Sequence, residues 1–165
     1  MAGRNNSDAK PAERSVVITR IFDAPRELVF KAWTDPKHVA QWWGPKGFTN
    51  PVCEMDVRPG GALRIVMRGP DGAEYPMTGI YREIAPPERL VFTNIAVDGE
   101  GKTLLEGLTT VTFAEYAGGK TRLSVETRAV ARVDYASRML EGMETGWTQT
   151  IDRLGEHVTR MRLVG

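Results

Sequence analysis

A long amphipathic stripe near the C-terminal end is the feature that most constrains the fold of this chain. Between residues 134 and 161 the apolar side chains recur every three or four positions, which places them along one face of an α-helix. The pattern therefore predicts one long helix whose apolar face must be covered by another layer. The residues of this stripe are Met139, Met143, Trp147, Ile151, Leu154, Val158 and Met161.

The covering layer is predicted to be a sheet, because most of the preceding sequence alternates apolar and polar residues with period two. Turn signals such as Pro59-Gly60-Gly61 separate these segments closely, which is typical of an antiparallel meander. Two short helices are expected at 25–35 and 36–43, each beginning near a proline. The result is an α+β fold with a seven-stranded antiparallel sheet. Its predicted strands are 15–22, 52–57, 62–68, 77–85, 90–97, 105–115 and 121–130.

The length of 165 residues suits one domain, which we place at residues 15–163. Residues 1–14 are polar and are expected to form a disordered tail without a signal peptide. The formal net charge of +1 provides no field to attract nucleic acid or acidic membranes, and no segment is apolar enough to cross a bilayer. Cys53 is the single cysteine, which excludes an internal disulfide and favours a reducing, cytoplasmic location.

A series of short motifs runs in order through the chain. They are Ile21-Phe22-Asp23-Ala24-Pro25, Val29 to Pro36, Trp42-Trp43-Gly44-Pro45, Met55 to Gly61, Gly69 to Gly72, Gly79 to Ile84, Pro87 to Thr93 and Gly142 to Trp147. The series resembles bacterial proteins similar to the activator of the heat-shock protein 90 ATPase, over about residues 16–158. This resemblance implies the helix-grip, START-like fold of the SRPBCC superfamily, in which a curved sheet grips the C-terminal helix and encloses a cavity.

The helix stripe supplies the first candidate cavity walls. Met139 and Met143 have flexible, polarizable side chains that can adapt to varied apolar ligands, and Trp147 can form a rigid aromatic wall. The alternative for each is ordinary core packing. Gly142 and Gly146 lie in the predicted helix interior, where glycine is costly, and this suggests a bend or a close backbone approach.

The loop after the second short helix and the sheet supply the other candidates. Trp42, Trp43 and Phe48 could form a lid over the cavity mouth or seal the core. Met67 shares its strand parity with inward apolar residues, whereas the parity of Tyr81 leaves it open whether that side chain faces the cavity or the outside. The full set of candidate ligand-binding residues is Trp42, Trp43, Phe48, Met67, Tyr81, Phe92, Met139, Met143 and Trp147.

Reactive groups in the sequence do not form a recognisable catalytic or metal-binding pattern. Glu54 and Asp56 fit a solvated strand face, and His38 and His157 are expected at the surface without metal-ligand spacing. Cys53 has no neighbouring basic residue to activate it and is expected to be an inert thiol. We therefore predict no catalytic residue, no metal and no cofactor, and an enzyme is the less favoured reading.

The favoured functional hypothesis is a module that binds a small hydrophobic molecule in the cavity. Two alternatives stay open. One is a co-chaperone-like domain of the stress response that docks a chaperone or another protein, and the other is a cyclase- or hydrolase-type enzyme acting on a hydrophobic ligand. Nucleic acid and membrane partners are not expected, and a homodimer is left undecided.

Overall fold

The computed structural model describes residues 12–164, which form an antiparallel sheet of seven strands covered on one face by helices. The predicted α+β helix-grip architecture is confirmed. The spatial order of the strands is β1-β7-β6-β5-β4-β3-β2, so the first strand lies beside the last. The strands are β1 (Glu13–Phe22), β2 (Thr49–Met55), β3 (Ala62–Arg68), β4 (Glu74–Ala85), β5 (Arg89–Val97), β6 (Thr103–Tyr116) and β7 (Lys120–Ala131).

The first strand begins two residues before the predicted boundary. Glu13 and Arg14, assigned from the sequence to a disordered tail, pair with Val130 and Ala129 of β7. Their polar side chains gave no strand signal, and their backbone is ordered by hydrogen bonding to a strand that lies far away along the chain. The rest of the predicted tail, residues 1–11, lies outside the described residues.

The two short helices are α1 (Arg26–Thr34) and α2 (Pro36–Trp42), close to their predicted positions. Asp35 caps α2, because its Oδ1 accepts a hydrogen bond of 2.9 Å from the backbone N–H of Lys37. Proline at the first helical position of α2 needs no backbone N–H partner. Within residues 12–164 we find no helix that combines the length and apolarity needed to cross a membrane.

The single C-terminal helix predicted from the stripe is interrupted. After a 3₁₀ turn at Asp134–Ala136 the chain forms α3 (Ser137–Glu141) and then α4 (Met143–Val164). Gly142 separates them, and its backbone N–H donates to the carbonyl of Leu140 instead of continuing the ladder of i to i−4 bonds. The sequence predicted one helical element with a bend or a close backbone approach at Gly142 and Gly146. The structure has a break at Gly142, where glycine makes it inexpensive, and the long helix follows from Met143.

The apolar stripe of α4 is divided into two parts by its burial. Ile151, Leu154 and Val158 are almost completely buried against the inner face of the sheet. Trp147 and Met143, one and two turns nearer the N-terminal end, are only partly buried. The core is therefore closed under the C-terminal half of α4 and less completely filled under its N-terminal half.

Candidate functional site

A cavity of about 220 Å³ lies where the N-terminal half of α4 faces β4, β5 and β6. Its walls are mainly methionine, tryptophan and other apolar side chains. Three elements contribute to them, namely the loop after α2, the inner face of the sheet, and the helical segment around Gly142. The lining residues are Trp43, Gly44, Pro45, Met67, Tyr75, Pro76, Met77, Asn94, Ala96, Leu105, Met139, Met143, Gly146, Trp147 and Thr150.

Two glycines shape the walls of this cavity. Gly44 has a φ of +96°, and a Cβ there would lie 2.9 Å from the Sδ of Met67, so only glycine fits without strain. At Gly146 a Cβ would meet only Pro45, at 3.8 Å from its Cγ. Gly146 therefore leaves space at the helix surface, and the close backbone approach suggested by the sequence is absent there.

Arg153 of α4 holds the loop that forms one wall. Its Nη1 donates to the carbonyl oxygens of Trp43, Gly44 and Pro45 at 3.1, 2.8 and 3.0 Å, and its Nη2 donates to Gln41 at 3.2 Å. Burial lowers the pKa of Arg153 from its ordinary value, although arginine remains charged in proteins. One guanidinium thus binds four carbonyl oxygens within the five residues from Gln41 to Pro45 and fixes the position of the loop.

Five of the nine predicted site residues lie together in the lining of the cavity. They are Trp43, Met67, Met139, Met143 and Trp147. The rings of Trp43 and Trp147 pack edge to face with centroids 5.6 Å apart, which links the loop to α4. Met67 lies on the inner face of β3, on the side expected from strand parity.

Trp42 and Phe48 do not line the cavity. Trp42 is fully buried in the core, where its Nε1 donates to the carbonyl of Ala32 at 3.0 Å and its ring packs 4.7 Å from that of Trp33. It is the last residue of α2 and points into the core, whereas Trp43 follows in extended backbone and reaches the cavity. Phe48 packs on Tyr75, with ring centroids 5.8 Å apart.

Tyr81 and Phe92 line a separate, much smaller void of about 10 Å³. The structure decides the orientation that strand parity left open, because Tyr81 is 3% exposed and faces inward while Ile80 is exposed. Burial, and to a smaller extent Cys53, raise the pKa of Tyr81 well above its usual range, so the phenol stays protonated. A void of this size holds about one water molecule at most and is part of the core.

The two histidines differ from their predicted surface placement. His157 is 8% exposed, and its Nε2 lies 2.9 Å from the Nδ1 of His38. Burial lowers the pKa of His157, and His38 and Arg160 lower it further. The two residues are 119 positions apart, so only the packing of α2 against α4 brings them together.

Other ionisable groups lie where the sequence indicated. Glu54 and Asp56 form surface ion pairs with Arg64 and Arg58. Cys53 is a free thiol whose pKa is raised to about 11 by burial, which makes it a poor nucleophile at neutral pH. Among residues 12–164 no three His, Cys, Asp or Glu side chains are grouped closely enough to hold a metal ion.

Sequence reasoning missed Asn94, the polar residue on the inner face of β5 that lines the cavity. Its signal was present, because Asn94 shares the parity of Phe92 and Ala96 and must therefore face the same side of the sheet. Leu105 and Thr150 were also missed. Thr150 lies between the stripe positions of α4, and neither residue type suggests a ligand site on its own.

Several solved protein structures are similar to this fold. A protein of Chromobacterium violaceum has 29% sequence identity and a TM-score of 0.73, over 87% of this chain and 96% of that one. An uncharacterised protein of Rhizobium leguminosarum has 26% identity and a TM-score of 0.71, over 90% and 96%. The AHSA1 protein of Silicibacter pomeroyi shares the fold, with 23% identity and a TM-score of 0.74 over 90% and 99%. No curated protein matches the chain.

The family model described as "Activator of Hsp90 ATPase homolog 1-like protein" matches residues 23–159, which include both short helices, β2 to β7 and most of α4. Proteins of this fold family bind small ligands or other proteins. The match extends over most of the chain, and the protein therefore belongs to the Activator of Hsp90 ATPase homolog 1-like family.

Proposed function

We propose that this protein binds a small apolar molecule in the cavity under the N-terminal half of α4. The observation that carries the proposal is the chemistry of the walls. Methionine side chains adapt to ligands of different shape, and indole rings provide rigid apolar surface. Four methionines and two tryptophans contribute, namely Met67, Met77, Met139, Met143, Trp43 and Trp147.

The volume of the cavity indicates the size of the ligand. An apolar cavity of about 150 Å³ in a protein core holds benzene. The cavity described here is larger, at about 220 Å³. By proportion it suits a body of about nine non-hydrogen atoms, the size of a small bicyclic hydrocarbon.

A second, adjoining cavity supports access from solvent. It measures about 470 Å³ and shares Tyr75, Pro76, Ala96 and Met139 with the first. Tyr75 and Met139 are 42% and 37% exposed, so the shared walls reach the protein surface. A ligand can enter between the ends of β4 and β5 and the segment around Met139 without unfolding the core.

The polar groups of the lining favour binding over catalysis. None of the described residues that line the 220 Å³ cavity is Asp, Glu, His, Lys or Arg. General acid–base catalysis uses a carboxyl, His, Lys, Tyr or Cys side chain within hydrogen-bond distance of the substrate. Tyr75 is the one described lining residue of these types, and it is 42% exposed at the mouth of the cavity. The cyclase- or hydrolase-type alternative therefore depends on Tyr75 alone.

The test uses a pair of glycines near the start of α4. Gly146 lines the cavity and leaves open space, so Gly146→Leu should place its side chain in the cavity without a backbone clash. Gly142 is exposed and has no neighbour within 4 Å of a Cβ position, which makes Gly142→Leu the matched control. Leucine is a better helix former than glycine at position 146, and Gly142 has φ −88° and ψ −1°, which leucine can also adopt, so both variants should fold.

Native mass spectrometry and thermal unfolding with a library of fatty acids, sterols, flavonoids, polyketides and bicyclic compounds provide the measurement. A ligand at about 100 times its dissociation constant adds about 2.7 kcal/mol of stability, or about 5–10 °C in Tm for a chain of this size. We expect this shift in the wild type and in Gly142→Leu and its loss in Gly146→Leu. No adduct and no shift in any of the three proteins would refute the proposal for these compounds.

Docking of a chaperone is a second candidate function, supported by the family description and by an aromatic pair of which one ring is exposed. Phe48 and Tyr75 pack together beside the cavity mouth, and Tyr75 is 42% exposed. Stimulation of the ATPase of an Hsp90 chaperone by this protein, reduced by Tyr75→Ser, would favour docking. The free thiol of Cys53 supports the cytoplasmic location, and a homodimer stays undecided.

A further inference from the structure

A short chain of buried hydrogen bonds crosses the inner face of the sheet and ends at the cavity. Thr109 and Thr127 are 0% and 1% exposed, and their hydroxyl oxygens lie 2.9 Å apart. The hydroxyl of Thr109 donates to the Oδ1 of Asn94 at 2.8 Å. Because Thr109 has only one hydroxyl proton, Thr127 must donate to Thr109. The carboxamide oxygen of Asn94 is thereby held toward the sheet.

Gly107 makes room for this carboxamide. It lies directly opposite Asn94 in the register of β5 and β6. A Cβ at Gly107 would come within 2.8 Å of the Nδ2 and 3.1 Å of the Cγ of Asn94. A side chain at this position would push the amide out of place, so glycine on one side and the Thr109 hydroxyl on the other fix its orientation.

The Nδ2 group of Asn94 is left as a free donor beside the cavity. Asn94 lines the cavity, and in the described part of the chain its Nδ2 has no hydrogen-bond partner. The other amide or hydroxyl groups of the lining are differently placed. Thr150 already donates to the carbonyl of Gly146 at 2.8 Å, and Tyr75 is exposed near the mouth. Among the amide and hydroxyl groups of the lining, Asn94 is therefore the inward donor with capacity to spare. The indole N–H groups of Trp43 and Trp147 are the other donors that belong to the lining.

We propose that the ligand of this cavity is an apolar molecule with one carbonyl-type oxygen, which accepts a hydrogen bond from the Nδ2 of Asn94. This inference rests on the proposed function and names the class of ligand within it. A bound hydrocarbon would remove water from the amide and replace it with nothing, whereas a ketone oxygen would satisfy the donor. Asn94 thus determines specificity, and Thr109 and Thr127 are positioning residues.

The experiment compares tetralin with 1-tetralone, two bicyclic molecules that differ by one carbonyl oxygen and match the size of the cavity. Isothermal titration calorimetry measures both affinities for the wild type and for Asn94→Leu, which keeps the branched shape and the number of non-hydrogen atoms and removes the donor. We expect the wild type to bind 1-tetralone about five- to tenfold more tightly, as one neutral hydrogen bond allows. In Asn94→Leu this preference should disappear or reverse, because tetralin is the more hydrophobic molecule.

A second measurement does not depend on the folding of the variant. In ¹⁵N-labelled wild-type protein the side-chain amide signals of Asn94 should shift on addition of 1-tetralone and much less with tetralin. Equal binding of the two compounds, or an Asn94 amide that does not respond selectively, would overturn this inference and leave the proposed function standing. Failure of both compounds to bind would instead overturn the proposed function at this ligand size, and the inference with it.

Discussion

Replacement of Arg153 by methionine tests how the cavity wall is held. In the folded protein the guanidinium donates four hydrogen bonds, of 2.8–3.2 Å, to carbonyl oxygens between Gln41 and Pro45. Methionine retains much of the side-chain length but has no donor. The four carbonyls would lose their shared partner, although that of Trp43 would keep the Nδ2 of Asn50 at 2.8 Å. The loop would then be held to α4 by the contact between the Trp43 and Trp147 rings and by the hydrogen bond from the backbone N–H of Lys46 to Gln149.

The size of the effect follows from these bonds. A hydrogen bond to a charged group contributes about 1.5–3 kcal/mol when its partner is left unpaired. The four bonds share one guanidinium at a half-exposed site, and water can replace part of them, so their effects do not add fully. We expect a loss of about 2–4 kcal/mol in the free energy of unfolding, or about 5–15 °C in Tm.

Urea and thermal unfolding measure this loss, with Arg20→Met as the matched control. Arg20 makes one exposed ion pair with Asp152, at 3.1 Å, and its replacement should cost less than about 1 kcal/mol. Arg153→Lys should recover only part of the stability, because an ammonium group cannot span the carbonyls from Gln41 to Pro45. An Arg153→Met variant as stable as Arg20→Met would refute the assignment of Arg153 as the residue that holds the loop.

Two further predictions concern the sheet and the histidine pair. Gly79→Ala should cost about 3 kcal/mol or more in urea unfolding, because a Cβ would overlap the carbonyl oxygen of Thr93, while Gly99→Ala in open space should change stability by less than about 0.5 kcal/mol. His157 has a folded-state pKa below the ordinary value of 6.5. The unfolded state therefore binds a proton at His157 more readily than the folded state, so the contribution of His157 to the free energy of unfolding is full above about pH 6.5 and is lost as the pH falls below that value. The urea midpoint of unfolding should therefore change more between pH 7.5 and pH 5 in the wild type than in His157→Gln. An equal pH dependence in the two proteins would contradict this role.

Local sequence patterns determined the elements of this fold. The alternation of apolar and polar residues and the turn residues between strands can both be recognised within a few neighbouring positions. For this reason β3 at Ala62–Arg68 has its predicted bounds, and the other strands differ from prediction by at most three residues at either end. The helical stripe likewise predicted the buried face of α4, and the ordered motifs indicated the family. These signals all lie within short windows of the chain.

Tertiary packing decided how those elements make a site. Trp42 and Trp43 are neighbours with similar side chains, yet one is in the core and the other lines the cavity, because α2 ends between them. The stripe of α4 fills the core at Ile151 and lines the cavity at Met143, although both positions are apolar and follow the same helical spacing. No local pattern contains that difference.

Contacts between different elements of the fold were also decided by the tertiary structure. The proximity of His38 and His157 depends on helix packing, and the placement of Asn94 over Gly107 depends on the register between β5 and β6. The sequence by itself therefore determined which elements form and which faces are apolar. Only the tertiary structure decided which side chains meet, because long-range register and layer spacing arise from the packing of all the elements together.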